Sequence, residues 1–359
     1  EFYLYALLAL ATPILFLTKN HKGESVEKVN WYDWVLAITA FVICGSFSLK
    51  AKESYMLGWE LEAPKLALWS EVVLYAIILE GTRRSFGWIL FSLLAVFLVE
   101  PIFADKMPGP LQGMSFSFER VMLFHAFGHE SLLGPISAVC GRLLVGYLFF
   151  AGMLQVGGGG QFFINIALTF LGKSRGAPAK VAVVGSSAFG MLTGAPIPNI
   201  LTTGAFTIPA MKKAGYPAYY AAAVEACAST GGSLVPPVMG AGIFIMASLI
   251  EEPYWNLCLA ALLPAAIYYV LLFVQADAYA GRMNLQRMKS EKIPKLTAVL
   301  IEGYPYFVCV AVLIWFVAFA RLVGQAPFFG ILSLLAVSFL KKSTRISIGQ
   351  LWLMLENSF

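Results

Sequence analysis

Two short stretches hold most of the side chains able to bind a ligand: "TGAPIPN" at 193–199 and "STGGSLVPP" at 229–237. Each sets hydroxyls and helix-breaking Gly and Pro inside otherwise apolar sequence. Around them gather Ser186, Ser187, Thr193, Thr202, Thr203, Ser229, Thr230 and Ser233, with one amide, Asn199. Neutral oxygens of this kind, joined by carbonyls freed where a helix breaks, suit a small hard cation such as sodium. A transition metal would want His, Cys or carboxylates instead. Helix N-termini exposed at the same breaks offer N–H donors and partial positive charge, which suits a carboxylate. Glu225 stands four residues ahead of the second break. A carboxylate at membrane depth is a functional candidate by default; its alternative role is to anchor the unwound loop.

The elements that position these groups follow from composition. Of 359 residues 59% are hydrophobic and 13% charged, about half the charge of a soluble domain. Long apolar runs with so little charge mean an integral membrane protein built of helices. Runs of spanning length fall near 2–17, 32–48, 67–80, 86–104, 133–156, 254–275, 297–320 and 326–340. The first has neither a charged lead-in nor a small-residue cleavage site, so it reads as a span and not a signal peptide. With alternate loops assigned to opposite sides, one side collects 18 Lys and Arg and the other six. The rich side is cytoplasmic. Arg142 falls inside a span, placed to snorkel outward.

That assignment requires 181–211 to enter and leave on the cytoplasmic side. From Val181 to Thr193 is 13 residues, about 20 Å of helix against a hydrocarbon core of about 30 Å. A re-entrant hairpin fits; a single span does not. The following run, 214–250, is 37 residues long and broken at 229–237, so it reads as a crossing helix unwound in its middle. Irregular backbone survives at that depth only where protein buries it or a cavity lies beside it. Such discontinuous helices mark substrate and ion sites in secondary transporters.

Other features carry less. His125 and His129 stand four apart beside Glu130, but no third ligand lies nearby, so an outward interfacial loop with ordinary histidines is expected. "GGGG" at 157–160 lacks the Lys-Ser/Thr of a phosphate loop; it precedes an amphipathic "QFFINIALTFLG" on the cytoplasmic surface. The five cysteines lie in apolar sequence and read as small hydrophobes. The net charge of +5 is spread over loops, which excludes a nucleic-acid patch. No nucleophile–base pair or nucleotide motif is present, so no enzyme and no cofactor is expected beyond sodium as coupling ion.

"RGAPAKVAVVGSSAFG", "TTGAFTIPAMKKAGY", "AAAVEACASTGGSLVPPVMGAGIFIMA" and "LEGTRRSFGW" together resemble the fused permease of tripartite ATP-independent periplasmic (TRAP) transporters, from about residue 65 onward. The resemblance is to the type paired with a TAXI-family binding protein. It implies an all-α, multi-pass protein of a bacterial or archaeal cytoplasmic membrane that imports small carboxylates with sodium by an elevator motion. It also implies a soluble extracytoplasmic substrate-binding protein as partner, besides the lipid bilayer. In its terms, 1–104 is a small-subunit-like four-helix region and 105–134 an extracytoplasmic loop with an interfacial helix. Residues 135–359 are then the first half of the large subunit: arm helix 161–172, hairpin 181–211, broken helix 214–250, and the last three spans. The resemblance assigns substrate contacts to Thr193, Gly194, Pro196, Asn199, Thr202, Ser233 and Pro236. It assigns sodium contacts to Ser187, Thr193, Asn199, Ser229, Thr230, Gly231 and Val235, with Glu225 as a structural or coupling residue.

Two departures stand out. The hairpin tip reads "GAPIPN", with Ala195 where the family usually has serine, which removes one hydroxyl. The chain also ends at "LWLMLENSF", where a second repeat would begin, so a C-terminal half or a completing chain is expected. The competing readings are an anion symporter that needs no binding protein, and a membrane scaffold that does not transport.

Overall fold

Inside a bilayer an unpaired backbone group costs several kcal/mol, so chain that crosses it must be helical or close into a barrel. The computed structural model of this chain is all-α, with no strand among the residues it describes, which are 2–19, 23, 29–285, 293–340 and 349. The basic loop residues within 20–28, 286–292 and 341–345 used in the charge count, and the final "LWLMLENSF", lie outside the described residues. Among the described residues, five helices are long and apolar enough to cross a membrane. Two compact units cover 1–141 and 142–358.

The first unit contains α1 (Phe2–Thr18), α2 (Trp31–Leu57), α3 (Lys65–Phe86), α4 (Trp88–Phe103), α5 (Phe118–Phe127) and α6 (Pro135–Val139). Its core gathers Tyr5, Phe47, Trp59, Leu74 and Phe127, with the Phe127 ring 5.1 Å from Phe47 and 5.4 Å from Trp59. Amphipathic α5 buries Val121, Met122, Leu123, Ala126 and Phe127 and leaves Phe118 and Phe124 exposed. Aromatic side chains on such a helix suit the membrane–water boundary. At the other end of α3, Arg84 is buried against Asp33 of α2 at 2.6 Å and also bonds Glu80 at 2.7 Å. The charge count treats Arg84 as a loop cation; packing instead makes it a buried tie between two helices. Losing one partner of such a pair leaves an uncompensated charge, at about 3–5 kcal/mol.

The second unit holds α7 (Val145–Val156), α8 (Gly159–Leu171), α9 (Ala177–Thr193), α10 (Pro196–Lys213), α11 (Ala218–Gly232), α12 (Ala241–Leu249), α13 (Tyr254–Arg282), α14 (Leu296–Ile314) and α15 (Ala326–Ser338). Residues 181–211 thus fall in two helices. The first ends where Gly194 takes φ +64°, and the second opens with Pro196 at its first position, where the missing N–H costs nothing. A break also separates α11 from α12, over 233–240. The foot of α9 is fixed by Lys180, which is buried and meets Asp277 of α13 at 2.6 Å. Beside it Tyr216, Tyr220 and Tyr279 stack, the last two with centroids 3.6 Å apart.

Candidate functional site

Three helices converge through polar residues spaced four apart. Ser186 and Gly190 lie on α9, Asn199, Thr203 and Thr207 on α10, and Glu225 and Ser229 on α11. Four-residue spacing places each set on one helical face. Glu225 has no solvent exposure. Its Oε1 accepts from Thr203 at 2.5 Å, Ser186 at 3.0 Å and Ser229 at 3.2 Å, and its Oε2 accepts from Thr207 at 2.5 Å. Asn199 Nδ2 donates 2.9 Å to the Ser186 carbonyl. A buried carboxylate is tolerated only when its lone pairs are met, and here four hydroxyls from three helices meet them. The result is a latch that holds both hairpin helices to the broken one.

Close backbone approach reinforces the latch. A Cβ on Gly232 would lie 2.7 Å from the Cα of Gly190, and one on Gly190 would lie 2.6 Å from Asn199 Nδ2. Small residues at a helix interface permit such contact in membranes.

The hairpin tip and the break dock on one another. The Val238 N–H donates 3.2 Å to the Met191 carbonyl, satisfying an acceptor that the end of α9 leaves free. A Cβ on Gly194 would stand 2.0 Å from the Met239 carbonyl oxygen. Tyr254 of α13 holds the break from behind, its hydroxyl donating to the Pro237 and Val238 carbonyls. Beside the break lies a cavity of about 310 Å³ lined by Ser233, Leu234, Met239, Gly240, Gly242 and Ile243 with Ala261 and Pro264. The N-terminus of α12 opens at its wall, bringing the backbone of Gly240 and Gly242 to it.

Not every residue singled out from the sequence joins this site. Asn199, Ser229 and Glu225 belong to the buried latch, and Thr193 and Gly194 form the docked tip. Ser233 faces the cavity, while Val235 and Pro236 lie within the break. Ser187 turns away and donates to the Val184 carbonyl at 2.9 Å; Ser186 takes its place in the latch. Thr202 packs toward α8, where a Cβ on Gly160 would meet its methyl at 2.6 Å. Thr230 is exposed. Gly231 packs under Tyr268 and Tyr269 of α13. Pro196 and Pro198 strip donors from the start of α10, so this N-terminus is a poor anion cradle and α12 is the better one. Thr207, Gly190, Gly232, Gly240 and Gly242 are the residues not foreseen; their signal was the four-residue ladders and the "MGAG" that opens α12. The histidine pair holds no metal cluster among the described residues. His125 Nδ1 instead meets Ser131 Oγ at 3.1 Å.

A helical hairpin docked on a broken helix around a polar latch is the arrangement expected of a membrane permease. Residues 73–359 match the family described as "Tripartite ATP-independent periplasmic transporter, DctM component", and the chain belongs to that family of integral inner-membrane proteins. It is 28% identical over 169 residues to the uncharacterized protein y4mL of Sinorhizobium fredii, covering 44% of this chain and 40% of that one. It is 27% identical over 128 residues to the C4-dicarboxylate TRAP transporter large permease protein DctM of Pseudomonas aeruginosa, covering 36% and 30%. With the protein of the same description from Vibrio cholerae it shares 26% over 166 residues, covering 46% and 34%. The matched stretch thus spans two fifths or less of each relative's length.

Proposed function

We propose that this chain is the translocating part of a sodium-coupled permease that takes small carboxylates from an extracytoplasmic binding protein. The observation that carries the reading is the docking of the Gly194 tip against Met239, directly beside the buried Glu225 latch. The latch makes α9, α10 and α11 one body, which is the mechanical requirement for an elevator that carries a site intact across the membrane. The cavity beside α12 suits a carboxylate group, placed on the backbone N–H groups around Gly240–Gly242 with Ser233 at its side. The named relatives from Pseudomonas aeruginosa and Vibrio cholerae carry C4-dicarboxylate in their descriptions, which sets the substrate class to try first. Sodium travels as a co-substrate, held by oxygens where the tip meets the latch, with Asn199 and Ser229 as contributing side chains and Ser186 replacing Ser187. With Ala195 supplying no hydroxyl, more of the coordination falls to backbone carbonyls.

The test is uptake of labelled succinate into proteoliposomes holding the complete permease, with an inward sodium gradient and purified binding protein. Asn199→Ala and Ser229→Ala are each expected to cut the initial rate at least tenfold and to raise the sodium concentration needed for half-maximal uptake. Uptake that proceeds without sodium or without binding protein, or that both substitutions leave unchanged, contradicts the reading.

A further inference from the structure

Unlike Asp33 and Glu225, one buried carboxylate of the first unit stands without a partner and has no part in the site above. Glu71 is the seventh residue of α3, about 9 Å of helix from its outer end. It has no solvent exposure, and neither oxygen has a hydrogen-bond partner. The Ala126 backbone of α5 lies beside it, outside hydrogen-bond geometry. Leu68 and Leu74, which flank it on α3, belong to the buried apolar core of the unit, together with Tyr5 of α1 and Cys44 of α2. Tyr75 is the titratable group within electrostatic reach of it; among the described residues no lysine or arginine forms an ion pair with it.

A bare carboxylate in such a core demands one positive charge. A metal cation would need several further oxygen ligands, and no group of three or more His, Cys, Asp or Glu able to hold one is found among the described residues. A proton needs no ligand beyond the carboxylate itself. There is also a route for it. Tyr75 stands one turn along α3 within electrostatic reach of Glu71, and its hydroxyl faces Ser131. Ser131 Oγ meets His125 Nδ1 at 3.1 Å, and the two rings, Tyr75 and His125, lie 5.9 Å apart. His125 in turn lines a cavity of about 370 Å³ together with Glu60, Leu61, Phe116, Arg120 and Phe124, on the extracytoplasmic side by the charge count. Its Nε2 has no partner.

We propose that Glu71 is a proton-binding site of the first unit and exchanges its proton with the extracytoplasmic side through Tyr75, Ser131 and His125. Because neither Glu71 oxygen has a partner at rest, the outward step begins as the carboxyl rotates onto the Tyr75 oxygen and passes its proton there while the Tyr75 proton moves to Ser131. The Ser131 proton moves to His125 Nδ1, and the Nε2 proton leaves as the ring turns toward the cavity that His125 lines. Each heteroatom keeps its electron pair, and the imidazole changes tautomer without gaining charge. Uptake reverses every transfer. The site shares no residue with the Glu225 latch and survives if the transport reading fails.

Infrared difference spectroscopy on the full chain in lipid tests it. At neutral pH a carboxylic-acid C=O band is expected that Glu71→Gln removes and Glu225→Gln leaves. Labelling glutamate with ¹³C in the unsubstituted protein shifts the same band, which keeps the test valid if Glu71→Gln fails to fold. In D₂O the band is expected to exchange at least tenfold more slowly in His125→Phe. The absence of any ¹³C-shifted acid band, or its survival in a folded Glu71→Gln, overturns the site. Exchange at the unsubstituted rate in His125→Phe overturns the route.

Discussion

Gly194→Ala is expected to abolish transport and to lower the apparent unfolding temperature by several degrees. Two costs combine at this position. At φ +64° an L side chain sits in the left-handed region, at about 1–2 kcal/mol. The added methyl would also lie 2.0 Å from the Met239 carbonyl oxygen, a backbone atom that cannot rotate aside. Relief means parting the hairpin tip from the break, and overpacking of this kind costs about 1–3 kcal/mol. The sum, about 2–5 kcal/mol, falls on the contact between the two irregular segments. Gly45→Ala serves as control, since nothing lies within 4 Å of its Cβ position and alanine is the better helix former. Thermal unfolding followed by intrinsic fluorescence, with uptake measured in parallel, separates the two variants. Equal behaviour would mean that tip and break are not docked.

Glu225→Ala carries the other large effect. Hydrogen bonds to a charged group contribute about 1.5–3 kcal/mol each, so four would suggest a loss near 10 kcal/mol if they acted independently. They do not. Thr203 is already 2.8 Å from the Asn199 carbonyl and Thr207 is 3.1 Å from the Thr203 carbonyl, so both retain an acceptor when the carboxylate goes. Ser186 and Ser229 lie 2.9 Å apart and can pair with one another. About 3–5 kcal/mol is therefore the expected destabilisation, from the cavity and the hydroxyls that cannot fully re-pair. Glu225→Asp is expected to rescue little, because the shorter side chain cannot reach Thr207 and Thr203 together. Thermal unfolding of the two variants against the parent checks both claims; a shift of less than about 1 °C for Glu225→Ala would remove the latch from the account.

The broad architecture was legible because its causes are local. Apolar length, loop charge and the Gly–Pro breaks each leave a mark on the sequence, and 181–211 does divide at Gly194. Element ends were less legible. The second helix was expected over 32–48 and runs from Trp31 to Leu57, because Lys50, Lys52 and Glu53 reach water while their backbone stays helical. Within the candidate site, composition pointed to segments that the fold brings together but could not orient them. Ser186 and Ser187 are equivalent by chemistry, and only the packing of α9 against α10 and α11 turns one inward. The ladders Ser186–Gly190, Asn199–Thr203–Thr207 and Glu225–Ser229 would have made that choice, since each marks one face at four-residue spacing. Thr202 and Gly231 lie outside the latch for the complementary reason: they pack against neighbouring helices, α8 and α13. The docking of Gly194 on Met239 joins residues 45 apart in sequence, and no local pattern announces it.

Side-specific thiol labelling is the most direct measurement, made in a background without the five native cysteines. Lys173→Cys and Lys213→Cys flank the hairpin and Glu251→Cys follows the broken helix; all three positions are exposed. An impermeant maleimide should label position 251 in right-side-out vesicles, and positions 173 and 213 only in inside-out vesicles. Labelling of 173 and 213 from opposite faces would mean that the intervening chain crosses the membrane, and the hairpin on which the proposed site depends would be lost.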